Sequence, residues 1–87
     1  MTDAADIEQE LRRWCISNGH RIDPLGTIGE PLAALLLGLT PSGLRMRVYE
    51  GRARLSPHAV TASGRRRYLL RDVAALIEQN RQDALDW

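Results

Sequence analysis

The stretch LGLTPSGLRMRVYEG, residues 37–51, constrains this chain more than any other. Thr40 followed by Pro41 is a strong helix start. The threonine hydroxyl can accept from an amide of the first turn, and proline at the first helical position lacks only an N–H that the helix leaves unpaired. Gly38 ends the apolar segment before it, because glycine enters the left-handed conformation in which helices commonly stop. Gly51 closes the second helix in the same way. Two short helices are thus joined by a tight turn, and Ala34, one turn before Gly38, is small enough for a close crossing. On the second helix Leu44 and Val48, four apart, form the inward face, which leaves Ser42, Arg45, Met46 and Tyr49 pointing outward. Such a unit is either a helix-turn-helix that presents its second helix or a helical hairpin that only closes a core.

The flanking sequence supplies the other elements. With 87 residues, a single domain spanning residues 1–87 with one modest core is expected. There is no phenylalanine, so that core must come from Leu, Ile, Val and Ala, with Trp14, Tyr49 and Tyr68 as the candidate large pieces. Residues 3–18 read as an amphipathic helix with Ile7, Leu11, Trp14 and Cys15 on one face, capped by Thr2 or Asp3 and stopped at Asn18-Gly19. Residues 20–31 hold two prolines and two glycines and read as a connector, with Thr27 or Glu30 opening the next helix. The helix-turn-helix unit covers about 30–50. Around Ser63-Gly64 two extended stretches, His58–Ala62 and Arg65–Leu69, suggest a hairpin within residues 54–69. The last helix covers about 70–85, with Val73, Ala74 and Ile77 inward.

Charge is distributed unevenly. The formal net charge is +1, and all twelve basic residues are arginine. Residues 1–43 balance to −3 and residues 72–87 to −3, whereas residues 44–71 carry eight arginines against Glu50 alone, a balance of +7. A genomic bias toward arginine would explain the missing lysine but not this clustering. A local basic stripe is the electrostatic footprint of a polyanion binder.

The order helix-turn-helix, basic hairpin, helix makes the expected fold mainly α with a small β-hairpin wing, a winged helix-turn-helix with an extra N-terminal helix. The segment TIGEPLAALLLGLTPSGLRMRVYEG, through Thr27, Ile28, Gly29, Glu30, Gly38, Leu39, Thr40, Leu44, Arg45, Glu50 and Gly51, resembles the opening of MerR-type and phage excisionase-like winged-helix domains. GRRRYLLRDV, through Gly64, Arg66, Tyr68, Asp72 and Val73, resembles their wing and last helix. The sequence departs from that pattern at Pro31, an extra residue at the start of the first helix, and at Leu69-Leu70, where a capping Ser, Thr or Asp is usual. The resemblance implies a sequence-specific double-stranded DNA-binding protein, either an excisionase-like architectural factor or a small transcriptional regulator of a phage or mobile element. It allows a recombinase or other protein partner. No long coiled-coil segment or metal-sensing cysteine set accompanies the match, so a complete MerR-type sensor is not expected. The alternative is a winged-helix protein–protein interaction module that spares DNA and offers an apolar patch around Met46 and Tyr49.

On the DNA reading, Ser42, Arg45, Met46 and Tyr49 of the recognition helix face base edges. Arg45 is the residue suited to a bidentate guanine contact, and Met46 to a thymine methyl. Arg47, Arg52 and Arg54 suit phosphates. Of the wing arginines Arg65, Arg66 and Arg67, strand alternation puts Arg66 on the face of Tyr68, which favours Arg65 and Arg67 for the groove. An enzyme is not expected: His20 and His58 are isolated, no nucleophile–base pair or metal-ligand cluster stands out, and no cofactor is called for. Cys15 is alone, which excludes an internal disulfide and suits a core position. The acidic N-terminus has no apolar signal region and no run is long enough to span a bilayer, so the expected location is the cytoplasm. The N-terminal helix packs on the domain's own core or, as the second option, forms a homodimer contact. A core role for Trp14 implies that Trp14→Ala costs ~3–5 kcal/mol.

Overall fold

The computed structural model describes residues 3–85. Among them are four helices, α1 (Ala4–Ser17), α2 (Glu30–Leu36), α3 (Pro41–Tyr49) and α4 (Leu70–Leu85), and three short strands, β1 (Thr27–Gly29), β2 (Ala59–Val60) and β3 (Arg66–Leu69). The domain is mainly helical, with a small antiparallel sheet of order β1-β3-β2. Among the described residues no helix is long and apolar enough to cross a membrane.

The α1 start is a reciprocal cap: the Asp3 carboxylate accepts from the Asp6 amide at 3.0 Å, and the Asp6 carboxylate accepts from the Asp3 amide at 3.5 Å. Thr2, the other candidate cap, lies outside the described residues. The helix packs along α4, and Ile7 and Cys15 are buried. Its apolar face therefore has a partner within the chain. Trp14 corrects the expectation of a core residue. It is 41% exposed and stacks instead on the His20 ring, with centroids 5.3 Å apart. The face runs through Ile7, Leu11 and Cys15, and Trp14 is turned about 60° away from Leu11, at the edge. Trp14→Ala is therefore expected to cost about 1–2 kcal/mol, below the range for a fully buried tryptophan. A thermal melt checks this, and the variant should remain folded.

The connector holds an element that the sequence reading missed. Thr27–Gly29 is a strand, not a helix start, and pairs antiparallel with β3 in the register Thr27↔Leu69, Ile28↔Tyr68, Gly29↔Arg67. On the other side of β3 lies β2, with Ala59 opposite Arg67 and Val60 opposite Arg66. The hairpin expected at Ser63-Gly64 is present but shorter, its turn closed by the Gly64 amide donating to the Thr61 carbonyl at 2.9 Å. Pro31 fits the first turn of α2, where its missing N–H costs nothing. Leu69-Leu70 needs no side-chain cap, because the Leu70 amide donates to the Gly26 carbonyl at 2.9 Å.

The core forms where α2, α3 and α4 meet the sheet. Ile28, Leu44, Tyr68, Leu70 and Val73 are fully buried, together with Ala33 and Ala34, whose small side chains let α2 approach closely. The α2–α3 turn is sharp: Gly38 has φ +73, and the Leu39 amide donates to the Ala34 carbonyl at 2.8 Å. That left-handed residue sets the angle at which α3 leaves.

Candidate nucleic-acid interface

α3 is capped at its start by Thr40 and closed at its end by Gly51, φ +74, where the Arg52 amide donates to the Arg47 carbonyl at 2.8 Å. The Thr40 hydroxyl accepts from the Gly43 amide at 2.9 Å, and a Cβ at Gly43 would lie 3.0 Å from that hydroxyl, so the small residue belongs to the cap. Leu44 is buried and Val48 half-buried. Ser42, Arg45, Met46, Arg47 and Tyr49 are exposed, Met46 by 60% and Tyr49 by 85%. At about 100° per residue, Ser42, Met46 and Tyr49 centre the outward face, and Arg45 and Arg47 flank it on opposite sides. Arg45 borders a groove toward the hairpin. Arg47 borders another, shared with Arg52, Arg54 and α4.

Glu30, at the start of α2, sits beneath this surface and is only 6% exposed. Its Oε2 accepts from the Tyr68 hydroxyl at 3.0 Å and lies 3.9 Å from Arg66 Nη1. Its Oε1 accepts from Arg45 Nε at 3.1 Å. One buried carboxylate thus ties α3 to β3. A charge in that position persists only because it is paired and hydrogen-bonded. Burial pushes the Tyr68 phenol up to about 12, helped by the bond to Glu30 and by its negative charge. Arg45 is therefore not a free surface arginine: its Nε is held inside the domain while its side chain stays 60% exposed.

The hairpin turn is self-supported. Thr61 Oγ1 accepts from the Arg65 amide at 3.1 Å and lies 3.0 Å from Ser63 Oγ. Arg65 projects from it, exposed. Arg66 turns to the Tyr68 face and Glu30. Arg67, expected at a groove, is held by partners within the domain. It lies on the other face, where Nε donates to Thr27 Oγ1 at 3.2 Å and Nη2 to the Thr27 carbonyl at 3.0 Å, with Asp23 Oδ2 3.9 Å away. Arg67 fastens β1 to β3, because β1 and its preceding loop present acceptors directly opposite that face.

Arg52 pairs with Glu50 at 2.9 Å and Arg54 with Asp83 at 3.5 Å. Among the described residues, five of the eight arginines in residues 44–71 therefore have a carboxylate partner. Three of the acids, Asp23, Glu30 and Asp83, come from outside that stretch. The +7 balance read along the chain is thus partly neutralised in space. Arg47, Arg65 and Arg71 have no carboxylate partner among the described residues. The sequence alone does not give Glu30 this hub role, although it carries a signal: Glu30 is the one acid between Asp23 and Glu50, set at the edge of an apolar run.

Asp23 organises the loop before β1. Its carboxylate accepts from the Leu25 amide at 3.1 Å, the Thr27 amide at 2.8 Å and the Thr27 hydroxyl. The Thr27 bonds, side chain first, hold its pKa below the usual value, and Arg67 adds to this. A depressed folded pKa gives stability that is present above the unfolded value and lost as pH falls through the folded one. The melting temperature of the native chain should therefore exceed that of Asp23→Asn at neutral pH. The gap should narrow as the pH drops below about 4; melts across an acid series check it.

No family model matches the chain, and no curated protein or solved structure matches it either.

Proposed function

We propose that this domain is a winged helix-turn-helix that binds double-stranded DNA sequence-specifically, with α3 in the major groove and the Thr61–Arg65 tip on the adjacent backbone or minor groove. The observation that carries this reading is the outward face of α3: exposed Ser42, Met46 and Tyr49, flanked by Arg45 and Arg47, beside a hairpin bearing the exposed Arg65. A helix ~10–12 Å across suits a major groove ~12 Å wide, and nine residues present about two turns to the bases. The element order α2, α3, β2, β3 and the Gly38 turn support the winged-helix assignment. In this reading Arg45 meets a base edge, and Arg47, Arg65 and the exposed parts of Arg52 and Arg54 meet phosphates. Arg67 is left to the fold.

The biological role proposed is that of an excisionase-like factor or small regulator of a phage or mobile element, acting in the cytoplasm by bending DNA, covering a promoter or recruiting a recombinase. The test is an anisotropy titration with duplex DNA at two salt concentrations. Three to five phosphate contacts give a log–log slope of about −3 to −4.5. The exposure of Met46 and Tyr49 favours, as a second reading, a module that docks on a protein. Absent or salt-insensitive duplex binding would support that reading over the first.

A further inference from the structure

We infer that Glu30 is a positioning residue for base discrimination: it holds Arg45 so that the outer edge of the guanidinium faces the DNA. The inference rests on the DNA-binding reading of α3. Arginine carries two hydrogen-bonding edges, one that includes Nε and one formed by the two terminal nitrogens. Glu30 Oε1 takes Nε, at 3.1 Å. The side chain is nevertheless 60% exposed, so the terminal pair is the edge left for solvent or a base. That pair is the geometry needed to meet two acceptors of a guanine at once.

The carboxylate is itself fixed. Glu30 belongs to the first turn of α2 behind Gly29 and Thr27, is 6% exposed, and has its second oxygen bonded to the buried Tyr68 hydroxyl. A long, rotamer-rich side chain held in its bound conformation before contact loses less freedom on binding. Arg66, 3.9 Å from the same carboxylate, links the hairpin to the same point. The acid therefore has two opposed effects on DNA. As a negative charge behind the interface it weakens all binding, and as a clamp on Arg45 it strengthens selection of one base.

These opposed effects make the test specific. A duplex pool with a randomised centre is selected against the native chain, Arg45→Ala, Glu30→Gln, the double variant and Tyr68→Phe, each shown folded by its thermal melt. The native chain should prefer guanine at one position, and Arg45→Ala should lose that preference, by ~5- to 100-fold. Glu30→Gln should lower it by about 2- to 10-fold, while its affinity for mixed-sequence duplex at low salt stays equal or rises. In the Arg45→Ala background Glu30→Gln should change the preference no further. Tyr68→Phe, which removes one support of the carboxylate but leaves the Oε1–Arg45 bond in place, should keep most of it.

Full preference in Glu30→Gln beside its loss in Arg45→Ala would overturn the inference and leave the DNA reading standing. An equal loss in Tyr68→Phe would also overturn it, since any weakening of the fold would then suffice. A native chain that binds no duplex would remove the DNA reading itself. If Glu30→Gln does not fold, the Arg45 Nε–H resonance of the free native chain carries the test: slow exchange with water supports the clamp, and exchange as fast as that of Arg47 overturns it.

Discussion

Tyr68→Ala is expected to bring the domain to the edge of unfolding at room temperature. Among the described residues Tyr68 is the largest fully buried side chain, and it sits on the middle strand of the sheet. Its removal takes out packing against a core built mostly from smaller aliphatic residues, at about 3–5 kcal/mol. The loss of the hydroxyl also leaves buried Glu30 short of a donor, at about 1–3 kcal/mol more. The sum approaches the whole stability of a small domain, roughly 5–10 kcal/mol. Urea unfolding followed by circular dichroism reads it directly. Tyr68→Phe separates the parts: it keeps the ring and should cost only the hydroxyl part, about 1–3 kcal/mol. It should also change the alkaline limb. The folded phenol titrates at about 12, above its ordinary value. Its contribution is complete below the unfolded pKa of about 10 and is lost as pH rises through the folded one. The native chain should lose stability across that window by more than Tyr68→Phe does.

The second large effect lies at the surface. Arg47→Glu combined with Arg65→Glu should lower affinity for duplex DNA at low salt by ~10²-fold or more, and should make the salt slope shallower by about 2 or more. The two side chains belong to different elements, both are exposed, and neither has a carboxylate partner among the described residues. Their reversal should therefore leave the melting temperature nearly unchanged, within about 0.5 kcal/mol in stability. The loss should be uniform across sequences, since phosphates position without specifying. This distinguishes it from Arg45→Ala, which acts on base preference. Titrations with two unrelated duplexes separate these outcomes.

Local signals in the sequence located the helices well. Thr40-Pro41, Gly38 and Gly51 bound α3 because each is a backbone preference of the residue itself, and Asp3 caps α1 for the same reason. Ser63-Gly64 marked the hairpin turn on similar grounds. What was not legible depends on residues far apart in the chain. β1 offers only three residues with one apolar side chain, and its partner lies some forty residues on. Arg67 looks like any wing arginine until Thr27 is placed opposite it. Arg45 reads as a free recognition residue until Glu30 and Tyr68 meet beneath it. The charge of residues 44–71 reads as +7 until Asp23, Glu30 and Asp83 fold against it. Trp14 shows a finer limit: helical spacing puts it near an apolar face, but the edge of that face is where a large ring finds His20 instead of the core.

The most direct measurement is an amide chemical-shift map of the ¹⁵N-labelled chain as duplex DNA from the selected pool is added. Binding by α3 and the hairpin should move the resonances of Ser42 through Tyr49 and of Thr61 through Arg66. Those of the outward face of α1, such as Gln9, Arg13 and Ser17, should stay in place. Shifts confined to α1 and the loop around Leu25, or no shifts at low salt, would contradict the account.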